Sequence, residues 1–136
     1  MFNQPEISII IPAYNAEKYL PRTLEALLAQ TFKSWEALVV DNNSQDSTGK
    51  IIKEYTKKDN RIKYLFEEQP GPATARNLGL KNAQGDYIMF CDSDDWYEPN
   101  MCEIMHNNIS QNDVDIICCN TRVLVGKNLK RIDTPL

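Results

Sequence analysis

Apolar residues occur along this chain in short runs separated by amphipathic stretches. Residues 6–11, EISIII, are a β-branched run ended by Pro12. Such a run reads as a strand buried on both faces, as in a parallel sheet. Asn15 is placed to cap a helix. Pro21 suits the first turn of a further helical segment, where Leu20, Leu24, Leu27 and Leu28 recur at helical spacing. Residues 35–40 predict a second strand, which stops at Asp41-Asn42-Asn43-Ser44. Asp46 or Ser47 caps the next helix, which carries Ile51, Ile52 and Tyr55. Ile62, Tyr64 and Phe66 alternate with polar residues and predict a third strand with a wetter face, at a sheet edge. Pro70-Gly71-Pro72 is a loop. Residues 73–83 are a helix rich in small side chains, closed by Gly85. A fourth strand follows at 87–91, a helix at 101–109 and a fifth strand at 115–119. Residues 123–132 read either as a further strand pair or as a tail.

Alternating strands and helices imply an α/β fold: a mostly parallel, Rossmann-like sheet flanked by helices, with right-handed crossovers. In a parallel sheet every strand ends at the same edge, and ligands bind outside the carboxyl ends. Three of those ends are polar: Pro12-Ala13-Tyr14-Asn15, Asp41-Asn42-Asn43-Ser44 and Asp92-Ser93-Asp94-Asp95. The last packs three carboxylates into four positions directly after an apolar run. Burying charge is costly unless it is paired or binds a metal. One reading makes these aspartates caps for the helix that follows. The other makes them part of a site where a divalent cation with oxygen ligands bridges to substrate phosphates. The convergence of three loaded strand ends favours the site.

Neither GxxxxGK[ST] nor GxGxxG is present, and an EF-hand loop fails because Tyr97 stands where glycine is needed. Several residues keep two readings. Asn42 and Asn43 are turn formers or ligands. Tyr14 is a core residue or a ring stacked on a base. Arg76, in a helix of small residues, is a plain surface residue or meets a carboxylate or phosphate at the edge of the site.

The 136 residues amount to one domain or a piece of a larger protein. The net charge of −4 argues against a nucleic-acid surface. Cys91, Cys102, Cys118 and Cys119 show no CxxC spacing and lie in apolar sequence, so they read as buried free thiols in a reducing compartment. The sole histidine, His106, is expected on a helix surface. No run reaches membrane-spanning length and no signal peptide is recognisable, so the expected location is cytoplasmic.

Four stretches, ISIIIPAYNAEKYL, ALVVDNNSQDST, PGPATARNLGL and GDYIMFCDSDDWYEP, together resemble the donor-binding half of family 2 glycosyltransferases. The resemblance runs in the family's order to about Pro99. It implies a GT-A nucleotide-diphospho-sugar transferase fold, here truncated. The implied function is binding of a nucleotide-diphosphate sugar, a UDP-sugar by preference, through Mn2+ or Mg2+. That binding would serve inverting transfer to a hydroxyl of a glycan or lipid-linked acceptor, in polysaccharide or cell-envelope glycan synthesis, with the longer protein peripheral at the inner face of the membrane.

By the same resemblance, Pro12 and Tyr14 line the base pocket with Glu17 nearby, and Asp41 hydrogen-bonds the pyrimidine edge. Arg76 approaches the nucleotide from the side. Asp92 and Ser93 belong to the ribose and diphosphate region, Asp94 is the metal carboxylate, and Asp95 and Trp96 shape the donor-sugar and acceptor side. The catalytic base is expected beyond Leu136, and self-association through surface left exposed by truncation is expected with it. Two other functions fit less of the chain. One is a nucleotide-sugar-binding module without turnover. The other is a haloacid-dehalogenase-like phosphatase using Asp92 and Asp94, against which stand Trp96 and the late position of the motif.

Overall fold

The apolar runs assemble into one parallel sheet. A computed structural model describes residues 4–121, with β1 Ile7–Ala13, α1 Leu20–Leu28, β2 Trp35–Asp41, α2 Thr48–Lys58, β3 Ile62–Phe66, α3 Pro72–Asn82, β4 Tyr87–Phe90 and α4 Met101–Gln111. Residues up to His106 form one compact unit and those from Asn107 a second. The sheet order is β3-β2-β1-β4, with every pair parallel. The chain therefore steps outward from β1 to β2 to β3, then crosses back to lay β4 on the other side of β1.

Side chains alternate across the sheet. Ile7, Ile9, Ile11, Trp35, Ala37 and Val39 pack with Leu20, Leu24 and Leu27 of α1 and with Ile52 and Tyr55 of α2 in one buried core. On the opposite face α3 packs against β1 and β2. Gly79 makes that approach close: a Cβ there would stand 2.5 Å from Ile10 Cγ2. β1 and β2 are thus covered on both faces, the arrangement that unalternated apolar runs predict. β3 lies at an edge, as its alternation predicts.

β1 does not stop at Pro12. It runs on to Ala13, and Pro12 pairs in register with Val40. Ala13 O accepts from Asn42 N on the β2 side, whereas Ile10 O accepts from Cys91 N on the β4 side. Residue 12 shares the β4 side with residue 10, so the missing proline N–H falls where β4 would need its next donor. Pro12 therefore ends the β1–β4 ladder rather than the strand, and releases residues 92–95 from the sheet.

Other expectations are corrected. Asn15 does not cap a helix. It sits in the left-handed region at φ 46°, a turn intervenes, and α1 begins at Leu20 with Pro21 in its first turn. Gly85 does not close α3, whose C-cap is Ala83. A Cβ on Gly85 would come within 2.6 Å of Ser8 N, so glycine serves a close backbone approach there. Residues 115–119 form no strand, because among the described residues no strand pairs with them. Cys91 and Cys102 are buried, but Cys118 and Cys119 are exposed, contrary to the expectation for all four. His106 lies on α4 but is half-buried rather than exposed. Its ring stacks on Phe32 at 4.6 Å and Nε2 lies 2.6 Å from Glu6 Oε2. Residues 123–132 lie outside the described part. No described helix is long and apolar enough to cross a membrane.

Candidate active site at the carboxyl edge of the sheet

Because β1 has β2 on one side and β4 on the other, the strand order reverses at β1. A crevice opens at such a switch point. Here it is a cleft of about 570 Å³ lined by the end of β1 (Pro12, Ala13, Tyr14), Asn42, the loop into α3 (Pro70, Gly71, Pro72), Arg76, and Asp92, Ser93 and Asp94. The volume lies within the range of small-ligand pockets.

Each wall is held from beneath. Asn42, buried, donates from Nδ2 to Glu67 O and Gln69 O and accepts from Gly71 N at Oδ1. All its capacity in this direction goes into shaping the 67–71 loop, so Asn42 is both a lining residue and a turn former. The loop after β1 is laced to the loop after β2. Asn15 Oδ1 accepts from Gln45 N, Ser44 Oγ accepts from Asn15 N, Thr48 Oγ1 accepts from Ala16 N, and Glu17 Oε2 accepts from Ser47 N. Of the pair expected to start α2, Ser47 is the N-cap and makes no side-chain cap bond, while Asp46 just before it receives both the N–H and the hydroxyl of Thr48.

The third wall is the aspartate segment. Asp95 N donates to Asp92 O, closing a turn, and Thr23 of α1 reaches its carbonyls. Gln30, fully buried, donates to Glu98 O and accepts from Cys102 N. Arg22 lays its guanidinium 3.3 Å from the centre of the Trp96 ring. Sequence reasoning found none of Arg22, Thr23 and Gln30 as contributors, because their signal is masked by a helix whose apolar spacing explains it fully.

Of the predicted site residues, Pro12, Tyr14, Arg76, Asp92, Ser93 and Asp94 meet at the cleft. Tyr14 is 62% exposed, so its ring is not core. Arg76 Nη2 lies 2.8 Å from Asp92 Oδ1, the carboxylate partner expected for it. Asp94 and Asp95 have exposed side chains with no hydrogen bond or ion pair among the described residues. Burial, then the charges of Asp94 and Asp92, push the Asp95 carboxyl above the usual carboxylate range. The segment thus carries an unneutralised negative charge. Glu17 and Asp41 lie off the lining. Asp41 is buried; Oδ1 accepts from Ser44 N and Oδ2 stands 3.4 Å from Tyr64 OH. Gly49 leaves room for it, since a Cβ there would come within 2.7 Å of Oδ2. Cys91 beneath the segment is pushed up to about 12 by burial, then by Asp95 and Asp92, so its thiol stays protonated at neutral pH.

A parallel sheet with its central strands covered on both faces and a crevice at its switch point is the architecture of open, ligand-binding α/β domains. The comparisons with known proteins make that class specific. The profile described as glycosyl transferase family 2 matches residues 8–133, and the chain belongs to this family. It is 40% identical over 116 residues to glycosyltransferase GlyA of Streptococcus pneumoniae serotype 4, covering 85% of this chain and 17% of that protein. It is 37% identical to glycosyltransferase GlyG of the same organism, covering 84% of this chain and 38% of that protein. The crystal structure of S. aureus TarS 1–349 in complex with UDP-GlcNAc superposes with a TM-score of 0.71 at 34% identity, over 78% of this chain and 31% of that one. The fold is therefore GT-A, and the chain spans well under half the length of these relatives.

Proposed function

We propose that this chain is the donor-binding part of a glycosyltransferase and holds a nucleotide-diphosphate sugar, a UDP-sugar, in the cleft at the switch point. One observation carries the reading: a cleft with an aromatic ring and a proline on one side and, on the other, an arginine–aspartate pair beside a carboxylate that has no partner among the described residues. The similarity to a protein crystallised with UDP-GlcNAc supports uridine as the nucleoside. Tyr14 and Pro12 take the base, with Glu17 bracing their loop. Asp41, next to the lining residue Asn42, accepts the uracil imide N–H. Arg76, Asp92 and Ser93 take the ribose and diphosphate side.

The donor set fits Mn2+ or Mg2+ in one specific way. Among the described residues no three His, Cys, Asp or Glu side chains come together as a metal cage. Hard cations at such sites are commonly held by one or two carboxylates plus substrate phosphates. Asp94, exposed and lining the cleft, suits that single role. The cation would neutralise charge building on the diphosphate as the anomeric bond breaks. The chain's own residues orient the donor. We assign the base for the acceptor hydroxyl, in inverting transfer to a glycan or lipid-linked acceptor, to residues outside the described part. Family membership sets the phosphatase reading aside.

The test is calorimetry of UDP and CDP with Mn2+, with Mg2+ and in EDTA. UDP binding should need the cation. Discrimination against CDP should be about ten-fold, from one buried polar group left unpaired, and Asp41→Ala should shrink it. Equal affinity in EDTA would refute the metal role, and equal binding of UDP and CDP the role of Asp41. Transfer of sugar from UDP-GlcNAc to an acceptor separates an enzyme from a binding module. We also infer self-association: Ile88 and Phe90, on one face of edge strand β4, are 39% and 49% exposed. A monodisperse monomer in light scattering at high concentration would overturn that.

A further inference from the structure

Thr23 lies in the middle of α1, on its buried side, and is 1% exposed. A threonine in a helix ordinarily turns its hydroxyl back to the carbonyl four residues earlier. Here that carbonyl, on Tyr19, takes the backbone N–H groups of Arg22 and Thr23. The Thr23 hydroxyl instead points out of the helix to two carbonyls: Ser93 O at 3.0 Å and Asp95 O at 2.5 Å. These belong to the residues on either side of Asp94. One hydroxyl, some 70 positions away in sequence, therefore shares its proton between the carbonyls of the two residues next to Asp94, the cleft carboxylate with no partner among the described residues.

The setting calls for such a brace. Pro12 has released this segment from the sheet, so no ladder bond reaches past Cys91 N. The three aspartates repel one another, which favours splaying the loop into solvent. The bond from Asp95 N to Asp92 O spans the turn but does not tie it to the body of the domain. The neighbouring contacts act on other parts of the chain: Arg22 of α1 on the Trp96 ring, and Gln30, just past α1, on Glu98 and Cys102. Arg76 holds the Asp92 side chain, and Cys91 Sγ makes long contacts to Asp92 O at 3.6 Å and Asp95 O at 3.9 Å. Among the described residues the Thr23 hydroxyl makes the short bonds to the backbone on both sides of Asp94.

We propose that Thr23 is a positioning residue for Asp94, fixing the carboxylate where a cation-bound diphosphate needs it. This rests on the donor-binding reading above. Thr23→Val keeps size and shape and deletes the hydroxyl; Thr23→Ser keeps the hydroxyl. Thr23→Ala replaces the valine variant if the second methyl group, facing two carbonyls, prevents folding.

Two measurements test the proposal. Hydrogen exchange needs no ligand. In Thr23→Val the amides of residues 94–96 should exchange about ten-fold faster, while those of β1 and β2 keep their protection. Calorimetry reads the consequence: UDP affinity with Mn2+ should fall about ten-fold, residual binding in EDTA should stay unchanged, and Thr23→Ser should restore affinity to within about two-fold. A purely structural role would lower the melting temperature and leave the affinity of folded protein intact, and that result overturns the proposal. So does unchanged exchange at 94–96. If the unmodified chain fails to bind UDP in any condition, the donor-binding reading falls. The exchange result alone then decides whether Thr23 holds the loop.

Discussion

The two ends of this sheet treat carboxylates in opposite ways. At the amino end Glu36, 2% exposed, is saturated: Oε1 accepts from the Ser8 hydroxyl and from Gln84 N, and Oε2 lies 2.6 Å from Lys63 Nζ. Ser8 in turn accepts from Gly85 N, so one carboxylate ties β1, β2, β3 and the turn before β4 together. Burial alone would raise its pKa. The hydrogen bonds from Lys63, Ser8 and Gln84 and the Lys63 charge outweigh it, and the net shift is downward. At the carboxyl end Asp92 has Arg76, Asp94 has no partner among the described residues, and Asp95 is shifted upward. The same chemical group is saturated where it holds strands and, among the described residues, left without a counter-charge at Asp94 where it faces the cleft. The two shifts have opposite signs because Glu36 is paired and hydrogen-bonded, whereas Asp95 faces burial and two like charges.

That contrast can be broken most forcefully at the amino end. Glu36→Ala leaves the Ser8 hydroxyl and the Gln84 N–H buried without their acceptor and should cost about 3 kcal/mol of stability. UDP affinity of the folded fraction should hold; urea denaturation and calorimetry on the same sample check both. Asp94→Ala should do the reverse. The melting temperature should barely move, while UDP affinity in Mn2+ falls about a hundred-fold, the loss expected when one charged contact disappears.

Acid titration sharpens the difference further. The Glu36 pKa is depressed in the folded state, so its stabilisation is complete above the unfolded carboxylate pKa and is lost as pH falls through the lower folded value. Stability of the parent should therefore decline below the ordinary carboxylate range more steeply than that of Glu36→Gln, which lacks the titrating group. Parallel curves would remove Glu36 from the account. The smallest effect belongs to Asp95. Its raised pKa means that ionisation costs the folded state, so stability is highest at low pH and is lost as pH rises through the folded value. Asp95→Asn should raise the melting temperature at neutral pH by about 1–2 °C, a small gain because the group is exposed and screened. Saturating Mn2+ with UDP should erase the difference.

Much of this was legible in the chain. Unalternated runs such as ISIII mark strands covered on both faces, because helices on each side leave no wet face. The Asp92–Asp95 cluster was legible as a group in need of a counter-charge, whereas Arg76 kept two readings, a plain surface residue or a partner for a carboxylate or phosphate, until the fold set it on Asp92. Other features were not. Whether Asn15 caps a helix or turns a loop depends on Gln45 and Ser44, which reach it from another strand's end. The apolar residues 115–119 look like a strand, yet a strand exists only where a neighbour accepts its hydrogen bonds.

Sequence alone determined the alternation of strands and helices, the shared edge to which every strand delivers its polar end, and the surplus of negative charge there. These follow from local periodicity and from the cost of burying charge. Tertiary structure decided the rest. The β3-β2-β1-β4 order sets Asp92–Asp94 beside Pro12 and Tyr14. Pro12 cuts one ladder and spares the other. A helix threonine reaches the carbonyls of both neighbours of Asp94. Each depends on which residues distant along the chain come within hydrogen-bond reach, and no local pattern encodes that distance.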